Sequence, residues 1–253
     1  MKIEFLGIKI DKINFDQTLE KISYYFNSPK QAIIITVNAE ITLLAQKNAD
    51  FKRIINEAEI ATCDGSGPAF AAKILKGEKL FRVTGVDLVS KILELSENGQ
   101  FENGKLFLLG GESGVASNVA QKFQKAKIVG AESGGKLVKN KGMFALENNS
   151  KIIQQINSSG ANMLFVAFGM EKQEMWIKQN LHLMPNIKVA VGVGGTFDFI
   201  SGKIKRAPKW MRIIGLEWLF RLIQQPRKRF KRIYSAVVKF GFLVLKEKIK
   251  LSL

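Results

Sequence analysis

The sequence is poor in the residues that carry most metal and redox chemistry. Its 253 residues include one cysteine and one histidine. A single cysteine, Cys63, excludes an intramolecular disulfide framework and fits a reducing compartment. A single histidine, His182, excludes multi-histidine metal sites and argues against histidine-based catalysis. Acidic residues are scarce, with 22 Asp and Glu against 39 Lys and Arg and a formal net charge of +17. No Asp-x-Asp pair occurs, so a carboxylate-chelated metal–diphosphate site is not indicated. Long apolar runs are also lacking. Ala32–Val37 and Met163–Gly169 are among the longest, and neither approaches the ~20 residues needed to span a bilayer. Met1–Ile10 carries Lys2, Glu4 and Lys9 and lacks a signal peptide's apolar run, which predicts a cytoplasmic protein, at most peripheral to a membrane.

What is present is a globular composition, 46% hydrophobic, on a length that allows one large or two small domains. The positive charge predicts an anionic partner: nucleic acid, a phosphate-rich substrate or an anionic membrane. It is unevenly spread. Residues 203–253 hold 15 Lys and Arg and two acids, Glu217 and Glu247, a net +13; residues 1–202 are close to balanced at +4. This shift predicts an α/β body over residues 1–200 and a basic helical appendage over 201–253. Within the appendage Lys209–Gln225 reads as one helix, apolar on more than one face, and Pro226 suits the first turn of a second helix. Arg227–Arg232 is five-sixths basic, and an apolar-basic helix runs from there to the end. Trp210 and Trp218 lie here too. Such helices suit an interface where Trp sits at headgroup level and Lys and Arg meet anionic lipid. The plainer alternative for Trp210–Gln225 is a helix packed on the body with a solvated basic face.

Residues 1–200 alternate short apolar runs with helical spacing. Phe15, Leu19, Ile22 and Phe26 mark a helix, and strands are predicted at Ala32–Val37, Glu59–Cys63, Lys105–Leu109, Met163–Phe168 and Val189–Val193. Strands separated by helices predict a Rossmann-like, mostly parallel sheet flanked by helices, which binds ligands at the carboxyl ends of its strands. Polar residues follow five of these strands: Thr36 and Asn38, then Cys63 and Asp64, Gly110 and Gly111, Gly169–Gln173, and Gly194–Asp198. Asp64 can act as a general base or, more plainly, as a helix cap before Gly65. Cys63 reads as a buried small hydrophobe. The Gly110-Gly111 turn can offer backbone N–H groups to a phosphate, although it matches neither the dinucleotide fingerprint nor the P-loop. Asp198 can accept hydrogen bonds from a ligand's hydroxyls. Arg82 can bind a diphosphate or form a surface ion pair with Asp87.

Taken in order, seven stretches resemble one family, the WecG/TagA/CpsF bacterial glycosyltransferases, and within it the TagA-like N-acetylmannosaminyltransferases. They are Thr36-Val37-Asn38-Ala39-Glu40, Asp64-Gly65-Ser66-Gly67, Arg82 through Leu88, Phe107 through Gly111, Lys172 through Trp176, Gly192 through Phe199, and Gly202 through Trp218 with its Arg206-Ala207-Pro208. Val37 and Glu171 stand where many members have proline. The resemblance implies inverting transfer of an N-acetylmannosamine-type sugar from a UDP-sugar to undecaprenyl-diphosphate-linked N-acetylglucosamine, without a metal or other cofactor. The setting it implies is the cytoplasmic face of the inner membrane, in wall teichoic acid or related polymer synthesis. It further implies Asp64 as general base and Arg82, Arg221 and Arg227 as diphosphate partners. Thr36, Asn38, Thr84, Gly110, Gly111, Gln173, Glu174, Gly195 and Asp198 are then implied to hold substrate. Self-association through the apolar tail is a further expectation. Two rivals remain open at this stage. A nucleic-acid binder explains the charge but leaves the strand-end residues unused, and a nicotinamide dehydrogenase lacks its glycine fingerprint.

Overall fold

A computed structural model describes residues 1–101, 103–140 and 143–252. The chain opens with a hairpin, β1 (Lys2–Phe5) and β2 (Ile8–Asp11), followed by α1 (Phe15–Phe26). Then come β3 (Ala32–Val37), α2 (Ala39–Ala45), α3 (Ala49–Glu57), β4 (Ile60–Cys63), α4 (Ser66–Lys76) and α5 (Gly85–Glu97). The middle holds β5 (Leu106–Gly110), α6 (Val115–Lys122), β6 (Ile128–Glu132), a second hairpin of β7 (Leu137–Asn140) and β8 (Met143–Leu146), and α7 (Asn149–Ser158). The body closes with β9 (Met163–Ala167), α8 (Lys172–Asn180), β10 (Val189–Gly192) and α9 (Thr196–Ile200). The tail is α10 (Lys209–Ile213), α11 (Glu217–Gln224), α12 (Pro226–Tyr234) and α13 (Phe240–Ser252).

Six strands form one parallel sheet in the order β4-β3-β10-β9-β5-β6. Its central strands are buried along their whole length, which is why they read as continuous apolar runs. Alternate residues serve opposite faces. Ile33, Ile35 and Val37 join one apolar core with Leu164 and Val166; Ala32 and Ile34 join the other with Met163 and Phe165. The second core is closed by α1, α5, α6 and α9, the first by α2, α3, α4, α7, α8 and the β1–β2 hairpin. Since every strand of the sheet runs the same way, the five predicted strand-end sets do lie along one edge.

The tail departs from the sequence expectation in one respect. Lys209–Gln225 is two short helices, broken at Gly215, whose φ of +82° belongs to the left-handed region. Pro226 does occupy the first turn of α12. The last helix also belongs partly to the body. Phe240 and Val244 of α13 are buried in the same core as β3 and α4, and a side chain at Gly67 would strike Ala39 and the Phe240 ring.

Candidate active site

The carboxyl edge of β3, β4 and β10 forms the floor of the site, and the tail forms its far wall. Asp64 leaves β4 with its N–H donating to Val37 O at 2.8 Å, so its position is fixed by the neighbouring strand. It does not cap α4. Gly65 takes the capping position with φ +91°, and no side-chain cap bond is made. Freed from that task, the carboxyl is only partly open to solvent. Burial pushes its pKa up to about 7; Glu217 and Asp87 add to the rise, while Arg221 and Arg206 oppose it. Cys63 beside it is buried, with its thiol pushed to about 12 by burial and by the Asp64 charge, in keeping with a packing role. His182 is exposed in the turn between α8 and β10, at the opposite edge of the sheet.

Above the floor stands Arg221, four residues along α11 from Glu217. Its guanidinium lies over the Phe199 ring at 4.6 Å, and its Nε is buried without a hydrogen-bond partner. The Cβ position of Gly195 would lie 3.7 Å from Asp198 Oδ2 and 3.8 Å from Arg221 Nη2. Gly195, Asp198 and Arg221 thus surround one exposed spot. Arg229 of α12 shares this field. Burial lowers its pKa to about 10, and Arg221 and Arg232 push it the same way. Arg221 is likewise lowered by burial and by Arg232, against the carboxylates Glu217, Asp64 and Glu40, so cations and carboxylates share one field here. Arg227, the expected partner from this helix, is exposed on its first turn.

The other implied residues divide into those facing the cleft and those bracing it. Asn38 caps α2 through Oδ1, bonded by Ile41 N–H at 3.0 Å, and points its Nδ2 at the Met170 sulfur at 3.6 Å. Thr36 is buried, with its hydroxyl 3.5 Å from Gly192 O, and a side chain at Gly85 would meet the hydroxyls of Thr36 and Thr196. Gln173 accepts the Gly194 N–H at 2.8 Å and donates to Glu174 Oε1 at 2.6 Å, so it braces the turn after β10. Glu174 is fully buried, and burial pushes its carboxyl up to about 7. Thr84 caps α5: its hydroxyl accepts the Asp87 N–H at 3.2 Å and donates to the Asp87 carboxylate at 2.7 Å. Gly111 N–H is spent on Ala167 O at 3.1 Å. Gly110 is glycine because a Cβ there would sit 2.7 Å from the Ala167 backbone.

The ion-pair alternative for Arg82 and Asp87 does not hold. They do not pair with each other. Arg82 Nη2 donates to Ile213 O at 2.7 Å, and Asp87 takes a two-pronged bond from Arg206 at 2.7 and 2.9 Å, with Arg212 3.7 Å away. Burial would raise the Asp87 carboxyl, but the bonds from Arg206 and Thr84 outweigh it and hold the group below its usual range. Arg206, Glu217, Arg229 and Arg232 were given no role from the sequence. Arg206 and Glu217 lie in matched stretches, which was the available signal; nothing local distinguishes Arg229 among its basic neighbours. Glu171 also gains meaning. Its φ of +70° is closed to proline, whose ring fixes φ near −65°, so the β9–α8 turn takes a path here that the common proline would forbid.

A floor with one near-neutral carboxyl and a wall of arginines is an arrangement for proton removal beside an anionic leaving group. The family model for "Glycosyl transferase WecG/TagA/CpsF family" matches residues 3–253. The chain belongs to this family. A Bacillus subtilis (strain 168) relative, N-acetylglucosaminyldiphosphoundecaprenol N-acetyl-beta-D-mannosaminyltransferase, is 32% identical over 238 residues, covering 92% of this chain and 86% of its own. The protein is therefore a glycosyltransferase, and the dehydrogenase and nucleic-acid readings are set aside.

Proposed function

We propose that the chain transfers an N-acetylmannosamine-type sugar from a UDP-sugar to a polyprenyl-diphosphate-linked N-acetylglucosamine, with inversion. The observation that carries this reading is Asp64 at the carboxyl end of β4, its carboxyl pushed up to about 7 by burial and within the electrostatic reach of Arg221 and Arg206. The acceptor hydroxyl attacks the anomeric carbon in line with the departing diphosphate. Its proton passes to Asp64, the C–O bond to UDP breaks, and both electrons leave with the UDP oxygen. A base with a pKa close to the working pH combines a usable deprotonated fraction with driving force. Arg221 and Arg229 face the charge that grows on the diphosphate, and fixed cations of this kind are worth several kcal/mol to such a step. Asp198, Gly195 and Asn38 are the best placed of the implied residues to hold sugar or nucleotide.

The acceptor class sets a second expectation, docking on the cytoplasmic leaflet. No helix among the described residues is long and apolar enough to cross a membrane. Trp210, Ile213, Ile214, Ile223, Phe230 and Phe242 of the tail are exposed among its Lys and Arg residues. Phe70 and Ile74, one turn apart on α4, extend the exposed apolar surface onto the body. Apolar contacts flanked by cations match an anionic bilayer surface.

A screen of UDP-sugars with a short-chain lipid-diphosphate-N-acetylglucosamine acceptor, with and without EDTA, tests the reaction. Transfer from UDP-N-acetylmannosamine that survives EDTA is the expected result. Transfer from another donor alone would overturn the sugar assignment, and dependence on an added divalent cation would overturn the arginine-only account.

A further inference from the structure

The Arg206 guanidinium joins the body to the tail at one point. Its Nη1 and Nη2 bond both oxygens of Asp87, in the first turn of α5, at 2.7 and 2.9 Å. Its Nε lies 3.7 Å from Glu217 Oε1, at the first residue of α11, an ion pair without a hydrogen bond. Arg206 is about one-fifth exposed and Glu217 about one-quarter, while Asp87 is about two-fifths exposed, so the bridge is half-buried, more open at the Asp87 end. The Thr84 hydroxyl also donates to Asp87 Oδ2, so the anchor cannot rotate freely. Residues four apart on a helix share a face. Whatever holds Glu217 therefore also sets where Arg221 points, and Arg221 is the arginine over Phe199 and beside Gly195. Besides this bridge α11 is held by few polar contacts: Gln224 Nε2 donates to Lys205 O at 2.9 Å and Arg221 rests on the Phe199 ring. It has no side-chain cap and no fully buried residue, and it is flanked by turns at Gly215 and Gln225.

We infer that Arg206 is a positioning residue: bridging Asp87 and Glu217, it locks α11 against the body and so holds Arg221 over the site. It acts through Arg221 and makes no substrate contact of its own. The inference rests on the proposed function for Arg221's role, but the lock itself is a statement about α11. A lysine at 206 keeps the charge and loses the planar fork, so it cannot hold both carboxylates at once.

Two measurements separate the lock from the enzyme reading. In hydrogen exchange on the whole protein, Arg206→Ala and Asp87→Asn are each expected to speed exchange over residues 217–224 by about tenfold or more, with the sheet unchanged. Unchanged exchange in α11 would overturn the lock whatever the substrate is. In transfer assays, Arg206→Ala is expected to lower kcat/KM by ~10²-fold, the scale of a small misplacement at a reacting centre. In an Arg221→Ala background the same change should cost less than about threefold, because its route of action is already gone. Losses that multiply would show that Arg206 acts on the substrate directly and would overturn the positioning role. Arg206→Lys should fall between wild type and Arg206→Ala in both assays, and it serves as the test variant if the alanine form does not fold. Wild-type protein that turns over no UDP-sugar would count against the proposed function and leave the exchange result standing.

Discussion

At the scale of single residues, the base role proposed for Asp64 would tie activity to stability. Its folded pKa of about 7 lies above the ~4 of an unfolded aspartate, so the folded state disfavours the charged form. The sign follows. The carboxyl costs nothing below pH ~4, where it is neutral in both states; stability is lost as pH rises towards 7, and the full loss persists above. Asp64→Asn should therefore raise Tm at pH 8, by about 2–4 °C for each kcal/mol recovered, and leave it nearly unchanged at pH ~3, readable by thermal melts at the two pH values. The same variant should lose ~10²–10⁴-fold in turnover while still binding UDP. Unchanged turnover would remove Asp64 from the base role. In the wild type, kcat/KM should fall tenfold per pH unit below about 7. Glu217 raises the Asp64 pKa, so Glu217→Gln should move that acidic limb to lower pH in a full pH–rate profile.

At the scale of elements, glycine positions separate packing from catalysis. Gly110 ends β5 at φ +112° with the Ala167 backbone 2.7 Å from where a Cβ would stand. Gly110→Ala should destabilise by about 2–4 kcal/mol, since both strain and a backbone clash must be relieved. Gly65, at φ +91° with nothing within 4 Å, should lose only about 1–2 kcal/mol as alanine, from backbone strain alone. Urea denaturation of the two variants side by side checks the contrast. Sequence reading placed five of the six parallel strands because buried strands are continuous apolar runs; β6, an edge strand with no fully buried residue, gave no such run. It missed both hairpins for chemical reasons. The β1–β2 turn uses Leu6 at φ +52° before Gly7, where the usual signal is asparagine or aspartate before glycine. The β7–β8 pair is short, and its first strand carries lysine and asparagine.

At the scale of the whole molecule, the tail is fastened to the body at spaced points. Arg206 holds Asp87, Arg232 makes a two-pronged bond to Glu40 at 2.9 and 2.6 Å, and Phe240 fills the space over Gly67. We expect the chain to act as a body of residues 1–200 and an appendage of 201–253. Ending it near residue 200 should leave a folded sheet, since both cores keep nearly all their members, yet abolish transfer. Circular dichroism and a transfer assay on membrane-embedded acceptor would check this, and full activity would end the proposed role of the tail. The intact protein should bind anionic vesicles and release as salt rises, because screening weakens the basic contribution. Sedimentation of the free protein would reveal the expected self-association of the exposed apolar tail.

The amino-acid sequence by itself determined the parallel sheet, the carboxyl edge that carries Asp64, and the concentration of charge in the last fifth of the chain. These follow from local rules: apolar runs make buried strands, parallel strands end on one edge, and composition counts without coordinates. Which cations gather around Arg221 was decided only by tertiary structure. The resemblance named Arg221 and Arg227, but Arg229 looks like its basic neighbours in sequence, and Arg82 and Asp87 look like a pair. The break at Gly215 and the bridge from Asp87 to Glu217 fix which of them turn inward. That choice depends on contacts across more than a hundred residues, and no local pattern encodes it.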